Sequence, residues 1–422
     1  MELIKRNIYK DLLSHAEKKE ISLLTGPRQS GKTTLMNLMK SELEKDGKHT
    51  LFLNLDSEMD KNYFSSQQML LKKIELEFGD KKGYIFIDEI QRKNDAGIFL
   101  KGLYDMNLPH KFIVSGSGSL ELKEKIHESL VGRKRIFELG TVSFDEFVNF
   151  KTNYKYKDEL SAFFELEHEL INIYLMEYLN FGGYPRVILE KEQREKIFII
   201  NDIFHSYLEK DISYLLKVER VDAFSDLIKI ISGRFGSLTN YSNIASEINI
   251  SVQTLKNYLF YAEKTFILQK LTPYFKNSSK EIVKSPVYYF YDIGLRNFSI
   301  NLFGNITDFG HVFENLVLNI IKEKIKFTNG SIHFWRTLDK AEVDFVLDFG
   351  KEIIPIEVKY KKYKLPKLEA SLRSFIDKYA PKKAFVVNLE LNAMLNVNNT
   401  NVYFISFGEL FKLKSPIAAL NI

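Results

Sequence analysis

The stretch Gly26-Pro27-Arg28-Gln29-Ser30-Gly31-Lys32-Thr33 fits the pattern G-x-x-x-x-G-K-[ST]. A short apolar run, residues 21–25, comes directly before it, and a helical pattern over 34–45 follows it. Glycines in such a loop allow consecutive backbone N–H groups to wrap a phosphate, and the following helix adds partial positive charge. The pattern therefore predicts a nucleotide-binding loop, in which Lys32 reaches the β- and γ-phosphates and the Thr33 hydroxyl binds Mg²⁺. The residues predicted to contact ATP are Gly26, Pro27, Arg28, Gln29, Ser30, Gly31, Lys32, Thr33 and Thr34.

A second apolar run ends in two carboxylates. Residues 84–87 read Tyr-Ile-Phe-Ile, and Asp88 and Glu89 follow them. In a protein with a phosphate loop, an acid at this point orients Mg²⁺, and an adjacent glutamate polarises the attacking water. A protein that only binds the nucleotide does not need the second acid. Glu89 therefore favours Mg²⁺-dependent hydrolysis of ATP.

Three further polar residues are candidates for contact with the transferred phosphate. Ser117 follows the apolar run 112–115, Arg133 lies in VGRKR and Arg186 lies in GGYPR. A hydroxyl at the end of a strand can contact the γ-phosphate or the attacking water, and an arginine can stabilise charge in the transition state. The alternative interpretations are structural: a Ser-Gly-Ser turn for Ser117 and surface salt bridges for the two arginines.

Composition limits the class of protein. The chain has 422 residues, 45% of them hydrophobic, and no cysteine. This length is enough for about two to four domains, and the absence of cysteine excludes disulfides and cysteine-ligated zinc. No run approaches the roughly 18 apolar residues of a membrane helix, and the start lacks the apolar core of a signal peptide. We expect a soluble, cytoplasmic protein without a membrane partner.

The net charge of +5 is distributed unevenly. Residues 351–383 contain ten Lys or Arg against four Asp or Glu. Such a stretch is compatible with a polyanion as partner, although a solvated surface is the commoner explanation of a charge run.

Residues 241–248 and 251–264 have the pattern of two helices joined by a tight turn, with Ser251 as the N-cap of the second helix. The apolar residues predicted to face each other are Ile244, Ala245, Ile248, Val252, Leu255 and Leu259. This arrangement leaves four polar residues pointing outward, of types that contact bases and phosphates from a major groove: Gln253, Thr254, Lys256 and Asn257. Strands near 268–271 and 287–291 would form a wing. DNA is therefore a predicted partner, and docking of a protein or a role as a lid are the alternatives.

Asp344, Glu357 and Lys359 have the form D-x(n)-E-x-K across a predicted hairpin. Pairing residue 348 with 351 places Asp344 opposite Pro355 and puts all three side chains on one face. Two carboxylates and a lysine at one place can bind a divalent metal, Mg²⁺ or Mn²⁺, and activate a water at a phosphodiester. Glu314, on the preceding helix, would complete the metal shell. In this register Glu342 would face Glu357.

The motifs occur together in a known group of proteins. They are KRNIYKDLL, GPRQSGKTTL, IFIDEIQR, SGSGSL, LVGRKRIFELGTVSFDEF, FGGYPRVIL, FYDIGL, HVFENLVL and EVDFVL with IPIEVKY. In this order they resemble the AAA+ ATPases of the Orc/Cdc6- and STAND-related group, AAA_14 type, that carry a C-terminal DUF4143 domain. The resemblance implies that Ser117 is the first sensor and Arg186 the second. It also implies a C-terminal domain similar to PD-(D/E)xK nucleases, either active or an inactive copy that still binds DNA.

The predicted fold class is α/β, with four modules in series. Residues 1–150 would form a P-loop AAA+ core with a parallel sheet covered on both faces, and 151–217 a helical lid. A winged helix-turn-helix over 218–295 and a restriction-endonuclease-like α/β domain over 296–422 would follow. We expect an ATP-hydrolysing protein that acts on DNA and couples its nucleotide state to these two modules. The alternative is a nucleotide-driven switch that binds DNA or protein without cleavage, and a homo-oligomer is compatible with either.

Overall fold

The structure, a computed structural model, describes residues 3–117, 129–208, 212–213, 220–275 and 285–412. Contacts group the described residues into two compact units. The first lies within Met1–Val142, Tyr184–Phe224 and Asn257–Ile267, and the second within Ser143–Gly183, Ser225–Lys256 and Leu268–Ile422. The chain therefore passes repeatedly from one unit to the other. The end of the predicted lid at residue 217 and positions 118–120 of the SGSGSL motif lie outside the described residues.

Five parallel strands form the sheet of the first unit. They are β1 (Ile21–Gly26), β2 (His49–Asn54), β3 (Gly83–Asp88), β4 (Lys111–Ser117) and β5 (Lys134–Glu138), in the order β2-β3-β4-β1-β5. The predicted parallel sheet is confirmed. The strand β5 was not predicted, because it lies at the sheet edge and, of its five residues, Phe137 alone is buried.

Both faces of this sheet are covered by apolar side chains. Ile85 and Ile87 of β3 pack into one hydrophobic cluster together with the helix Gln67–Phe78. Phe86, which lies between them, packs into a different cluster together with the helix Lys32–Lys45. Successive side chains of a strand point to opposite faces. Burial on both sides therefore explains why these strands read as continuous apolar runs.

Eight strands form the sheet of the second unit. They are β6 (Leu268–Pro273), β7 (Val287–Phe290), β8 (Ser331–Arg336), β9 (Glu342–Asp348), β10 (Ile353–Val358), β11 (Lys383–Asn388), β12 (Ala393–Val397) and β13 (Thr400–Ser406), in the order β12-β13-β11-β10-β9-β8-β6-β7. Strands β6 and β7, the predicted wing, pair antiparallel. Because β6 also pairs with β8, through Thr272 and His333, the sheet continues across the boundary predicted at residue 295.

The helices are distributed over the same two units as the sheets. Those within the first unit are Tyr9–Ser14, Lys32–Lys45, Glu58–Lys61, Gln67–Phe78, Ala96–Asp105, Pro185–Leu189 and Gln193–Ser206, with 3-10 turns at His15–Glu17, Asn62–Phe64 and Ile90–Arg92. Those within the second are Phe144–Lys151, Leu160–Leu166, His168–Phe181, Tyr241–Glu247, Ile293–Ser299, Phe309–Ile325, Ala370–Tyr379 and Glu409–Lys412. The helices Val221–Gly233 and Val252–Lys264 include residues of both units. Within the described ranges, no helix has the length and apolar character needed to cross a membrane.

Residues 143–183 group with the second unit, although the sequence placed them in the ATPase core and the lid. Phe144 is 1% exposed, and its ring centroid lies 5.4 Å from that of Tyr178 and 5.3 Å from that of Phe407. Aromatic side chains bury large areas when they pack in this way. The aromatic contacts therefore account for the grouping of this segment with the second unit.

Candidate functional site

The predicted phosphate loop connects β1 to the helix Lys32–Lys45. Gly26 has a φ of 150°, and a Cβ at this position would lie 2.0 Å from the carbonyl oxygen of Leu139. Gly31 has a φ of 98° directly before the helix begins. A residue with a side chain would clash at Gly26 and be strained at Gly31, so the two glycines of the motif allow this turn.

Backbone carbonyls of the loop are bound by two basic side chains. Lys32, which is buried, donates hydrogen bonds from Nζ to the carbonyl oxygens of Gly26 (3.1 Å) and Pro27 (2.7 Å). From the other side, Arg6 donates from Nη1 to the carbonyl oxygen of Ser30, at 2.9 Å. Lys32 was predicted to lie at this loop. Arg6 was not predicted to contact the loop, because its contact spans 24 residues and no local pattern indicates it.

Arg6 also binds the segment that follows β5. Its Nη2 donates to the carbonyl oxygens of Gly140 and Thr141, both at 2.9 Å. A guanidinium group offers several N–H donors in a fixed plane. One side chain therefore connects the phosphate loop to residues far along the chain.

Asp88 accepts hydrogen bonds from three directions at the end of β3. The hydroxyl of Thr33 donates to its Oδ2 at 2.7 Å, and the Ser115 hydroxyl and the Glu89 N–H donate to its Oδ1, the latter at 3.1 Å. Asp88 is 1% exposed. Thr33 and Asp88 thus present adjacent oxygen atoms, the ligand type that Mg²⁺ prefers. They fit the predicted Mg²⁺ site.

Glu89 lies where the chain leaves β3. Its φ of 57° and ψ of 41° place it in the left-handed region. Burial raises the pKa of its carboxyl group; the charge of Lys32 opposes this effect and that of Asp88 adds to it. The side chain of Gln91 donates a hydrogen bond from Nε2 to Oε2 of Glu89. Gln91 was not among the predicted site residues.

The two serines at the end of β4 have different partners. Ser115 donates its hydroxyl to Asp88, whereas Ser117 is the residue predicted to contact the γ-phosphate or the attacking water. The backbone N–H of Ser117 donates to Oε1 of Gln91, at 3.2 Å. The motif Ser-Gly-Ser offers two hydroxyls, and the pairing of β4 with its neighbours decides which of them reaches Asp88.

The two arginine candidates lie at different places in the first unit. Arg186 donates from Nη1 to Oε1 of Gln29, at 3.2 Å, and so contacts the phosphate loop. Arg133 forms an exposed ion pair with Asp105, with 2.7 Å between Nε and Oδ1. Its carbonyl oxygen accepts from the N–H of Ile21, the first residue of β1. At about 3.3 Å per residue this end of β1 is roughly 16 Å from Gly26, so the structure does not bring Arg133 to the loop of its own chain.

The four predicted DNA-contact residues lie near the start of the helix Val252–Lys264. The hydroxyl oxygen of Ser251 accepts from the N–H of Thr254 at 2.9 Å, which confirms the predicted N-cap. Gln253, Lys256 and Asn257 are exposed, whereas Thr254 is half-buried. The apolar side of the helix is narrower than predicted. Val252 is 37% exposed because it lies in the first turn, whereas Leu255 and Leu259 are buried.

The C-terminal carboxylates lie on the hairpin formed by β9 and β10. Asp348 pairs with Ile353 and Phe345 with Ile356, and one more step in this register sets Asp344 opposite Glu357. The predicted register, with Asp344 opposite Pro355, is wrong by two residues. The reason is a longer turn, in which the N–H of Phe349 donates to the carbonyl oxygen of Glu352. A shift of two keeps the same face of the strand.

The corrected register also changes the position of Glu342. The observed register does not place Glu342 opposite Glu357, and the carboxylate of Glu342 forms an ion pair with Arg336 at 3.2 Å. The N–H of Val358 donates to Oδ2 of Asp344 at 2.7 Å. Lys359 donates from Nζ to Oε1 of Glu357 at 2.6 Å.

Burial and the closeness of several acids shift the pKa values of these groups. Burial raises the pKa of Asp344 to about 6, against the opposing charge of Lys359. Burial and the nearby Asp344 raise the pKa of Glu357 to about 8. The same two causes raise the pKa of Glu314 well above its usual value, and the Tyr289 hydroxyl donates to its Oε1. Although burial disfavours its charge, the carboxylates of Asp344 and Glu357 raise the pKa of Lys359.

The donors of this carboxylate cluster, Glu314, Asp344 and Glu357, suit a hard divalent cation. Glu357 is 4% exposed, and its Oε2 is buried without a hydrogen-bond partner. Such an oxygen is stabilised by a cation or by a proton. Throughout the described ranges, however, no three His, Asp or Glu side chains converge closely enough to hold a metal ion as they stand.

Three family models match successive parts of the chain. Residues 18–148 match an AAA domain (AAA_14), 172–305 match a domain of unknown function (DUF8612), and 309–408 match another (DUF4143). The AAA_14 and DUF4143 matches are those that the sequence motifs predicted.

Relatives with similarity over most of the chain are uncharacterized. The chain is 27% identical to the protein MJ1544 of Methanocaldococcus jannaschii over 81% of its own length and 75% of that protein. It is 23% identical to a protein of Haemophilus influenzae, over 85% of this chain and 86% of that protein. It is 24% identical to the protein Rv2008c of Mycobacterium tuberculosis, with 84% and 73% covered.

Two solved structures align at low similarity. One is a replication initiator DnaA bound to AMPPCP and single-stranded DNA, with a TM-score of 0.32, 15% identity, and 62% of this chain and 90% of that chain covered. The other is the Aeropyrum pernix ORC2 protein in its ADP form, with a TM-score of 0.33, 11% identity, and 75% and 95% covered. The family matches show that an AAA domain over 18–148 is followed by a DUF4143 domain over 309–408.

Proposed function

We propose that the protein binds and hydrolyses ATP at the phosphate loop of the first unit and that it acts on DNA through the second. The observation that carries the ATPase proposal is the position of Asp88. The hydroxyl of Thr33, from the phosphate loop, donates to this buried carboxylate, and Glu89 follows it directly. Support also comes from the AAA domain match over 18–148.

In the reaction we propose, a water attacks the γ-phosphorus of ATP while Glu89 accepts its proton. The bond from the γ-phosphorus to the bridging oxygen breaks, and ADP and inorganic phosphate leave. Thr33 and Asp88 would hold Mg²⁺, which would neutralise part of the charge on the phosphates. Lys32 binds the β- and γ-phosphates, and Arg186 stabilises charge on the transferred group. Ser117 or Ser115 contacts the γ-phosphate or the water.

The test is release of inorganic phosphate from ATP in the presence of Mg²⁺. We expect the wild type to be active and Glu89→Gln to lose at least about 100-fold in kcat, because a positioned general base contributes about that much or more. The variant should still bind ATP, since the residues that bind phosphate are intact. Wild-type turnover by Glu89→Gln would refute the role of Glu89, and no nucleotide binding by the wild type would refute the whole proposal.

The proposed action on DNA has its support in the second helix of the helix-turn-helix. The hydroxyl of Ser251 caps the start of this helix. Three polar residues near the start are exposed: Gln253, Lys256 and Asn257. We assign a winged helix to residues 218–295, with β6 and β7 as its wing. DNA should stimulate ATP hydrolysis and bind with an affinity that falls as salt rises. Lys256→Ala should weaken binding to all sequences and reduce the salt dependence. Equal affinity of this variant and the wild type would contradict the assignment.

A second candidate activity is cleavage of the phosphodiester backbone in the C-terminal domain, 296–422. The observation that favours it is the hydrogen bond from the Val358 N–H to Asp344, which places this carboxylate next to the segment that carries Glu357 and Lys359. One carboxylate oxygen of Glu357 is also buried without a hydrogen-bond partner. Plasmid cleavage with Mg²⁺ or Mn²⁺, lost in Asp344→Ala, would support a PD-(D/E)xK-like nuclease. Absence of cleavage with and without ATP would favour the alternative, a nucleotide-driven switch in which this domain binds DNA or a protein partner passively.

A further inference from the structure

Gln91 connects the ends of two neighbouring strands beside the proposed catalytic carboxylate. It follows β3 in the 3-10 turn Ile90–Arg92 and is 7% exposed. Its Nε2 donates to Oε2 of Glu89, and its Oε1 accepts from the backbone N–H of Ser117 at 3.2 Å. Both polar atoms of the buried amide are therefore satisfied by specific partners.

The two partners require one orientation of the amide. The N–H of Ser117 can only donate, so it must face the amide oxygen, and an ionised carboxylate can only accept, so Glu89 must face the amide nitrogen. Rotation of the amide by 180° would set donor against donor and acceptor against acceptor. The strand pairing that places Ser117 thereby fixes which atom Gln91 presents to Glu89.

The side chain of Glu89 is not oriented by the strand itself, so a hydrogen-bond partner has more effect on its orientation than it would for a residue within a strand. Its left-handed backbone ends the regular alternation of β3, so the sheet geometry does not by itself direct its side chain. A free glutamate side chain samples several rotamers, and holding it in one costs conformational entropy. The bond from Gln91 holds Oε2 and leaves Oε1 to accept a proton.

We propose that Gln91 is a positioning residue that holds Glu89 in the orientation required to activate the attacking water. This inference rests on the proposed ATPase function, in which Glu89 is the general base. Gln91 does not itself touch the nucleotide in this proposal. It acts through Glu89 and takes its own orientation from the backbone of β4.

The experiment compares Gln91→Leu, Gln91→Glu and Glu89→Gln with the wild type by ATP turnover at varied ATP concentration and pH. Gln91→Leu should lower kcat by about 10- to 100-fold, the cost of a misplaced catalytic group, and change KM for ATP less than about threefold. The matched control is Gln67→Leu. It removes another side-chain amide of the first unit, which donates to the carbonyl oxygen of Phe99 at 3.0 Å, and it should leave kcat unchanged.

The Gln91→Glu variant, whose new side chain has nearly the same size, should fold. The pH profile of its kcat tests whether residue 91 lies beside Glu89. A second carboxylate beside Glu89 disfavours ionisation of Glu89 and should move the acidic limb of the kcat profile to higher pH. A merely structural role would alter thermal stability without moving this limb. An unshifted limb, or a kcat for Gln91→Leu equal to that of Gln67→Leu, would overturn the proposal.

Different results would refute the ATPase function and the positioning role of Gln91. If Glu89→Gln is inactive and Gln91→Leu is fully active, positioning by Gln91 is wrong and the ATPase proposal stands. If the wild type hydrolyses no ATP, or Glu89→Gln is as active as the wild type, both are wrong.

Discussion

The Thr33 hydroxyl donates a 2.7 Å hydrogen bond to Oδ2 of Asp88, although 55 residues separate the two in the chain. Thr33 lies in the first turn of the helix after β1, and Asp88 is the last residue of β3. The carboxyl ends of parallel strands lie at one edge of the sheet. The bond therefore joins the two motifs from which the nucleotide site is inferred.

Removal of this hydroxyl should weaken the site. We expect Thr33→Ala to lower Mg²⁺-dependent ATP affinity by about 10- to 100-fold, because a hydrogen bond to a charged group contributes about 1.5–3 kcal/mol. Titration of the protein with ATP, with and without Mg²⁺, measures this change. Thr33→Ser keeps the hydroxyl and should retain most of the affinity. Equal losses in the two variants would show that the methyl group, not the hydroxyl, matters.

Arg6 should support nucleotide binding from outside the motif. Arg6→Ala removes the donors to Ser30, Gly140 and Thr141. We expect KM for ATP to rise about tenfold, which corresponds to roughly one net hydrogen bond, with a smaller change in kcat. Lys10→Ala, which removes a positive charge from an exposed residue of the same N-terminal segment, is the control for general electrostatics. A similar rise of KM in both variants would contradict the specific contact.

Thermal stability should depend on pH through Glu357. Its pKa of about 8 in the folded protein exceeds the value of about 4.3 for an unfolded chain. Between these values the folded protein binds a proton that the unfolded chain does not, so stability falls as pH rises through this window. The Glu357→Gln variant has no carboxyl group at this position and so lacks this pH-dependent loss of stability. Its amide oxygen can still accept the hydrogen bond from Lys359. The Tm of the variant minus the Tm of the wild type should therefore increase as the pH is raised from 5 to 8.5.

A Tm difference that is the same at both pH values would contradict the raised pKa. Added Mg²⁺ or Mn²⁺ gives a second readout. A cation competes with the proton at these carboxylates, so stabilisation of the wild type by metal should strengthen as pH rises. Glu357→Gln should reduce this stabilisation.

The grouping of residues 143–183 with the second unit can be tested by hydrogen exchange. Phe144→Ala should destabilise its surroundings by about 3–5 kcal/mol, the usual cost of removing a buried phenylalanine. Faster exchange is expected in the strands β11 and β13, with little change in β1 and β3. Phe99→Ala, a matched change in the first unit, should give the opposite pattern. Faster exchange of β1 in Phe144→Ala would assign this segment to the first unit.

Local patterns were sufficient for several features of the fold. The parallel sheet followed from apolar runs separated by helical periodicity, and the N-cap of Ser251 followed from one residue type before a helix. Each depends on neighbours within a few positions, so a single stretch contains the information. The edge strand β5 was missed for the same reason, because an edge strand with one buried side chain has no apolar run to mark it.

Non-local pairing decides the features that no local pattern contains. Whether Ser115 or Ser117 reaches Asp88, and whether Asp344 faces Pro355 or Glu357, depends on strand register. A register is set by turn length and by partners far along the chain. The place of Arg133, at the end of the sheet opposite the phosphate loop, likewise depends on how β5 pairs with β1.

The sequence by itself thus determined which residue types could carry chemistry: the glycines and Lys32 of the phosphate loop, the acids after β3, and the carboxylates of the C-terminal hairpin. These depend on spacing along one strand, loop or helix. Only the tertiary structure decided which of them meet. It set Thr33 against Asp88, gave Gln91 its two partners, and grouped residues 143–183 with the second unit. Such contacts are selected by burial and hydrogen-bond satisfaction over the whole chain, which no local pattern contains.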